Sequence, residues 1–131
     1  MSPITTRVFV YGTLKRGDSR HDALSDQRFI DVAATQPAYR LYDLGEYPGL
    51  VTFDSGDSIP GELYEVDADC LQNLDVIEGV AEGYYSRQPV KLLSPFDDQP
   101  AVTYIFEQSV AGHRRISQWP DPATAEHQNN H

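Results

Sequence analysis

Residues 29–66, FIDVAATQPAYRLYDLGEYPGLVTFDSGDSIPGELYEV, decide the fold class. Four short runs within them, 29–34, 38–44, 50–53 and 62–66, are rich in β-branched and aromatic residues, and clusters of Gly, Pro and Asp that favour turns separate them. The spacing predicts consecutive strands arranged as a β-meander. Upstream, Arg7-Val8-Phe9-Val10-Tyr11 reads as a buried first strand ended by Gly12, and Asp18-Ser19 can cap a short helix through about Gln27 with Ala23 and Leu24 as its apolar anchors. Downstream, Asp67 is a candidate N-cap for a helix over 68–78 that Gly79 stops. Strands over 84–93 and 101–107 then flank the turn-rich loop 94–100 as a hairpin.

Two short helices among six or seven strands, without regular βαβ alternation, place the chain in the α+β class. With so many short strands, closure of the sheet hides its edges, so the expected fold is a small mixed β-barrel with flanking short helices. One domain over 1–119 accommodates these elements. The tail 120–131 has almost no apolar residue to bury and is expected to be disordered.

Charge narrows the function classes. Twenty acidic against ten basic residues give a net charge of −10, which repels nucleic acid and anionic membranes. No Lys or Arg occurs between Arg40 and Arg87, where eleven of the acids lie. An anion could still bind locally, through backbone N–H groups or the few arginines. No run approaches the roughly 20 apolar residues that span a bilayer, and the N-terminus lacks a basic segment followed by an apolar one, so the expected location is cytoplasmic. Cys70, the lone cysteine, falls beside Leu71 on the second helix and reads as a small core residue. The four histidines show no metal-ligand spacing, and no metal is expected.

Two features point to chemistry. After a buried strand, Gly12 lets the backbone bend and a ligand approach closely, and consecutive N–H groups in such a turn can converge on an anion. Gly12 and Gly17 have the spacing of a phosphate-binding loop, but Asp18-Ser19 stand where Lys and Ser or Thr are required, which excludes a nucleoside triphosphate site. An ordinary strand exit remains the alternative, with Lys15 and Arg16 as solvated surface or as anion ligands. The second feature is Glu78. At about 100° per residue, with Leu71 as zero, Leu74 falls near −60°, Cys70 near −100° and Glu78 near −20°, inside the apolar stripe, while Val76 points away near 140° and Asp75 lies at the stripe's exposed edge near 40°. A carboxylate facing a core has its pKa raised toward the range of a general base or acid. The competing reading is a frayed helix end that releases Glu78 into solvent. Tyr85 and Arg87 follow closely and share one face of a strand.

These residues resemble a known family. Val8-Phe9-Val10-Tyr11-Gly12-Thr13-Leu14-Lys15-Arg16-Gly17 is similar to the opening strand and substrate loop of the γ-glutamyl cyclotransferase-like proteins, γ-glutamylaminecyclotransferase among them. Gly61-Glu62-Leu63-Tyr64-Glu65-Val66, Leu74-Asp75-Val76-Ile77-Glu78-Gly79 and Tyr85-Ser86-Arg87-Gln88-Pro89-Val90 resemble later blocks of the family, in order, over residues 7–107. His113-Arg114-Arg115-Ile116 can add an edge strand.

The resemblance implies that Tyr11, Gly12, Thr13 and Leu14 bind substrate together with Tyr85 and Arg87, and that Glu78 is the catalytic proton acceptor. The implied reaction closes a γ-glutamyl group to 5-oxoproline and expels an amine, without a cofactor. The implied partner is a small γ-glutamyl molecule. Tyr84 competes with Tyr85 for the pocket, and Glu82 with Glu78. Two alternatives stand beside the cyclising enzyme: a binding module that keeps the pocket without turnover, and a tailoring step on a γ-glutamylated metabolite.

Overall fold

The computed structural model describes residues 4–121, so most of the tail expected to be disordered lies outside the described residues. Eight strands form one mixed sheet: β1 (Thr5–Val10), β2 (Arg28–Ala34), β3 (Tyr39–Asp43), β4 (Pro48–Thr52), β5 (Pro60–Asp67), β6 (Tyr85–Pro89), β7 (Val102–Phe106) and β8 (Arg114–Ile116). Among the described residues one α-helix, α1 (Ala68–Ile77), and a 3-10 turn (His21–Leu24) accompany the sheet. The predicted edge strand at 114–116 is β8, which pairs with β3.

The sheet order is β2-β5-β1-β7-β4-β3-β8, with β6 on β7. That corrects the meander: β2 pairs with β5 rather than β3, and β4 joins β7 rather than β5. The hairpin expectation holds for β6 and β7, which pair from Tyr85↔Phe106 to Pro89↔Val102. A bridge between Thr35 and Leu92 ties the end of β2 to the chain just past β6, so the curved sheet closes partway into a barrel.

Two apolar clusters hold it. Period-two alternation sends Phe9 into one, with Leu41, Leu50, Leu63 and Ile105, and sends Val8 and Val10 into the other, with Tyr64, Leu74, Cys70 and Tyr104. β1 is therefore buried on both faces, and its apolar run reflects that.

The helix expected from Asp18 shrinks to one 3-10 turn. Asp18 turns its carboxylate onto the N–H of the adjacent Ser19, at 2.7 Å, and within the turn only Leu24 is buried, too little apolar surface to offset helix nucleation. α1 forms as expected. Asp67 Oδ1 accepts from the Cys70 N–H at 2.8 Å, and Gly79 ends the helix at φ +66°. The N–H groups of Gly79 and Val80 bond back to Val76 and Asp75 at 3.1 and 3.0 Å, the paired bonds of a Schellman cap. Cys70 is buried, and desolvation with the nearby Asp67 and Asp26 charges pushes its thiol up to about 11, so it is a core residue and not a nucleophile.

Candidate active site

The site arises where two strands share one edge of β7. β1 pairs with β7 in parallel at Val8↔Val102, and β4 does so at Leu50↔Ile105. Between these two points β1 peels away and a crevice opens, as it does where neighbouring parallel strands diverge in open α/β sheets. Tyr11, the first residue past β1, fills the fork. Its hydroxyl donates to the Tyr104 carbonyl at 2.7 Å and accepts from the Leu50 N–H at 3.3 Å, taking the place of the missing ladder bonds.

Phe9 to Thr13 form one wall of the crevice, Tyr47 and Pro48 the other, Tyr85 and Tyr104 the floor, and Glu78 reaches in from the end of α1. The innermost space is about 20 Å³, room for one water or one substrate oxygen. At Glu78, Tyr47 and Tyr85 it meets an outer vestibule of about 320 Å³, bounded also by Arg20, Val76, Ile77, Gly79, Glu82 and Tyr84.

The Schellman cap settles how Glu78 is held. Its N–H remains bonded to the Leu74 carbonyl at 2.9 Å, so the last turn is closed, and the half-buried side chain lines both the crevice and the vestibule. Desolvation raises its carboxyl to about 7, opposed by the positive charge of Arg20. Burial holds the phenols of Tyr11, Tyr85 and Tyr104 above their ordinary value and neutral; the Glu78 charge adds to this at Tyr85, and the hydrogen bond to Asp75 adds to it at Tyr104.

Tyr11, Gly12 and Thr13, which the resemblance implied bind substrate, all line the crevice. Tyr11 has its hydroxyl committed at the fork, so only its backbone faces a ligand. Gly12 serves packing as well as approach: a Cβ there would come within 2.6 Å of the Pro48 ring. Among the described residues, no group accepts from the N–H of Gly12, Thr13 or Leu14. Leu14 is a core residue outside the lining.

Tyr85, not Tyr84, belongs to the inner crevice. It is buried, with its hydroxyl donated to the Pro48 carbonyl at 2.8 Å, while Tyr84 is exposed and touches only the vestibule. Glu82 likewise stays on the rim. Arg87 lines neither space and pairs instead with Asp75 on α1 at 3.5 Å; Asp75 also accepts from the Tyr104 hydroxyl at 2.7 Å, so it is held rather than exposed.

Lys15 and Arg16, the other cations of the loop, turn away as well. The Lys15 ammonium donates to the Trp119 carbonyl, and the Arg16 guanidinium lies 4.1 Å from the Phe29 ring centroid and 3.9 Å from Glu62. The cation that does face the vestibule is Arg20, which the sequence reading missed. It is placed by a backbone bond from its N–H to the Thr13 carbonyl at 2.8 Å and by its guanidinium over the Tyr47 ring at 5.6 Å. Among the described residues no group of three or more His, Cys, Asp or Glu side chains could hold a metal, and no helix is long and apolar enough to cross a membrane.

Residues 8–121 match the family described as gamma-glutamyl cyclotransferase, AIG2-like. A Vibrio cholerae protein named "Putative gamma-glutamylcyclotransferase" is 40% identical over 109 residues, covering 83% of this chain and 89% of that protein. The Escherichia coli gamma-glutamylcyclotransferase family protein YtfP is 34% identical over 112 residues, covering 84% and 90%. A crystal structure of a mouse AIG2-like protein superposes with a TM-score of 0.77 at 27% identity, covering 92% of each chain. The half-open mixed barrel is the fold of these structural neighbours, and the chain belongs to the AIG2-like gamma-glutamyl cyclotransferase family.

Proposed function

We propose that the chain is an enzyme that cyclises a γ-glutamyl amine or γ-glutamyl peptide to 5-oxoproline and releases the amine, with Glu78 as base and then acid. The observation that carries this reading is the placement of Glu78, a carboxyl held at about 7 on the neck between crevice and vestibule, facing the loop that carries the free N–H groups. A carboxyl poised near neutrality is suited to both halves of the reaction.

The α-ammonium of the substrate gives a proton to Glu78, and the freed amine attacks the γ-carbonyl carbon. The carbonyl oxygen becomes an oxyanion, small enough for the innermost space and stabilised by N–H donors of the Gly12–Thr13 turn. Collapse of this intermediate re-forms the carbonyl and breaks the bond to the leaving nitrogen, which takes the first proton from Glu78. The ring nitrogen, still carrying two hydrogens, gives its second proton to the regenerated carboxylate, which passes it to the expelled amine, so the amine departs as an ammonium. Protons balance without water, metal or oxidant. The protein holds amine and carbonyl at attack distance.

Release of 5-oxoproline from a panel of γ-glutamyl amines and peptides tests the proposal, with Glu78→Gln alongside. Turnover by the wild type and its loss in Glu78→Gln is the expected result. If binding occurs without turnover in the wild type, the chain is a binding module; equal rates in both proteins remove Glu78 from the mechanism.

A further inference from the structure

We propose that Arg20 is the carboxylate-recognising residue of this site and pairs with the α-carboxylate of the γ-glutamyl group. The inference rests on the cyclising reading and deepens it.

The geometry leaves one place for that carboxylate. The innermost space admits little more than the carbonyl oxygen, so the amine, the α-carboxylate and the leaving group must lie on the vestibule side of the neck at Glu78. The amine has to meet Glu78, and the α-carboxylate is attached to the same carbon as the amine. It therefore falls beside Glu78 within the vestibule, where a bare carboxylate would meet the negative charge of Glu78 and of Glu82 on the rim. Arg20 is the cation lining that space, and among the described residues no carboxylate lies within ion-pair distance of it. A planar guanidinium, pre-oriented by the Tyr47 ring, offers the fork that a carboxylate matches.

Occupancy of Arg20 also changes Glu78. The ionisable groups around that carboxyl are Arg20 from the loop, Tyr11 after β1, Tyr47 before β4, Glu82 and Tyr84 after α1, Tyr85 on β6 and Tyr104 on β7. Arg20 is the positive one, and its charge holds the Glu78 proton more loosely than burial alone would. A carboxylate docked on Arg20 cancels that influence. Glu78 then binds a proton more tightly in the complex than in the free enzyme, and this strengthens it as the acceptor of the neighbouring ammonium proton.

The test compares γ-glutamyl methylamide with its α-carboxamide analogue as substrates, and 5-oxoproline with 2-pyrrolidone as ligands by calorimetry. Wild type, Arg20→Gln and Arg20→Lys are used in each arm. The wild type is expected to favour the carboxylate member of each pair by roughly 10- to 100-fold, the scale of a charge-assisted hydrogen bond. Arg20→Gln loses that preference, Arg20→Lys keeps part of it, and the inflection in the kcat/KM pH profile moves upward in Arg20→Gln.

A merely structural role for Arg20 would weaken both members of each pair alike, and that result overturns the inference while leaving the cyclising reading intact. A carboxylate preference in binding that depends on Arg20, with no turnover of any substrate, upholds the recognition and overturns the cyclising reading. No preference in the wild type overturns the assignment outright.

Discussion

The Tyr11 hydroxyl lies 2.7 Å from the carbonyl oxygen of Tyr104, at the point where β1 leaves β7. Through its second bond to the Leu50 N–H it joins three strands with one oxygen. Tyr11→Phe leaves a buried carbonyl and a buried N–H without this partner, and is expected to cost about 1–3 kcal/mol of stability. Urea denaturation measures it; an unchanged midpoint would show that the fork is held by other contacts.

Gly12 and Pro48 meet across the crevice with no room for a side chain between them. Gly12→Ala is expected to destabilise the chain by about 1–3 kcal/mol through overpacking. Pro48→Ala removes the ring atoms that the new methyl would strike. A double-mutant cycle in thermal unfolding should therefore show a coupling that recovers part of the loss; additive effects would place the strain elsewhere.

Glu78 gives stability a particular pH dependence. Its carboxyl is held at about 7 in the folded chain against an ordinary 4.5, so the folded state binds this proton more tightly than the unfolded state does. The stabilisation is fully present below about pH 4.5 and is lost as pH rises through about 7, with an upper size of about 3 kcal/mol. Glu78→Gln removes that loss, and its advantage over the wild type should grow from pH 5 to pH 8 in denaturant titrations. Activity runs the opposite way: kcat/KM should rise with pH through the same inflection as the base form appears.

Gly79 at φ +66° ends α1 and positions Glu78, and a Cβ there would also press within 2.7 Å of the Tyr84 ring. Gly79→Ala should cost about 1 kcal/mol or more, since Ala is strained at positive φ. It should lower kcat more than Gln72→Ala does, because Gln72 is exposed on α1 and lines neither the crevice nor the vestibule. Equal effects would mean that the cap does not position the carboxylate.

Arg87 and Arg20 separate by KM. Arg87 forms a partly exposed ion pair with Asp75, an interaction generally worth about 1 kcal/mol or less. Arg87→Gln should raise KM less than Arg20→Gln does in steady-state assays with a γ-glutamyl substrate; the reverse order would put Arg87 in the site.

How much of this was legible in the chain depends on the range of the signal. Glu78 could be singled out because helical phase is local, fixed by the eight residues from Leu71 to Glu78. The strand-forming runs were legible for the same reason. Their order was not: β4 reaches β7 in parallel across more than fifty residues, and period-two alternation says which face a residue takes but not which neighbour a strand chooses. Asp75 was read as exposed because its partner, the Tyr104 hydroxyl, lies 29 residues away, beyond the reach of helical phase. Arg20 escaped because it precedes a single 3-10 turn, where no period marks a facing side. Its only local cue was its place in the loop after Gly12, which it shares with Lys15 and Arg16.

The edge of β7 acts as a ruler. β1 and β4 are pegged to it three residues apart, about 10 Å along the strand, and this sets how far the two walls of the crevice stand from each other. Side-chain replacement can reshape those walls but not their separation. Slipping β4 along β7 by one residue would exchange its buried and exposed faces, sending Leu50 out of the core, so the width can change only by a two-residue jump. The gap is in that sense a digital quantity. Divergence among chains with this fold should then alter what lines the crevice far more readily than how wide it is.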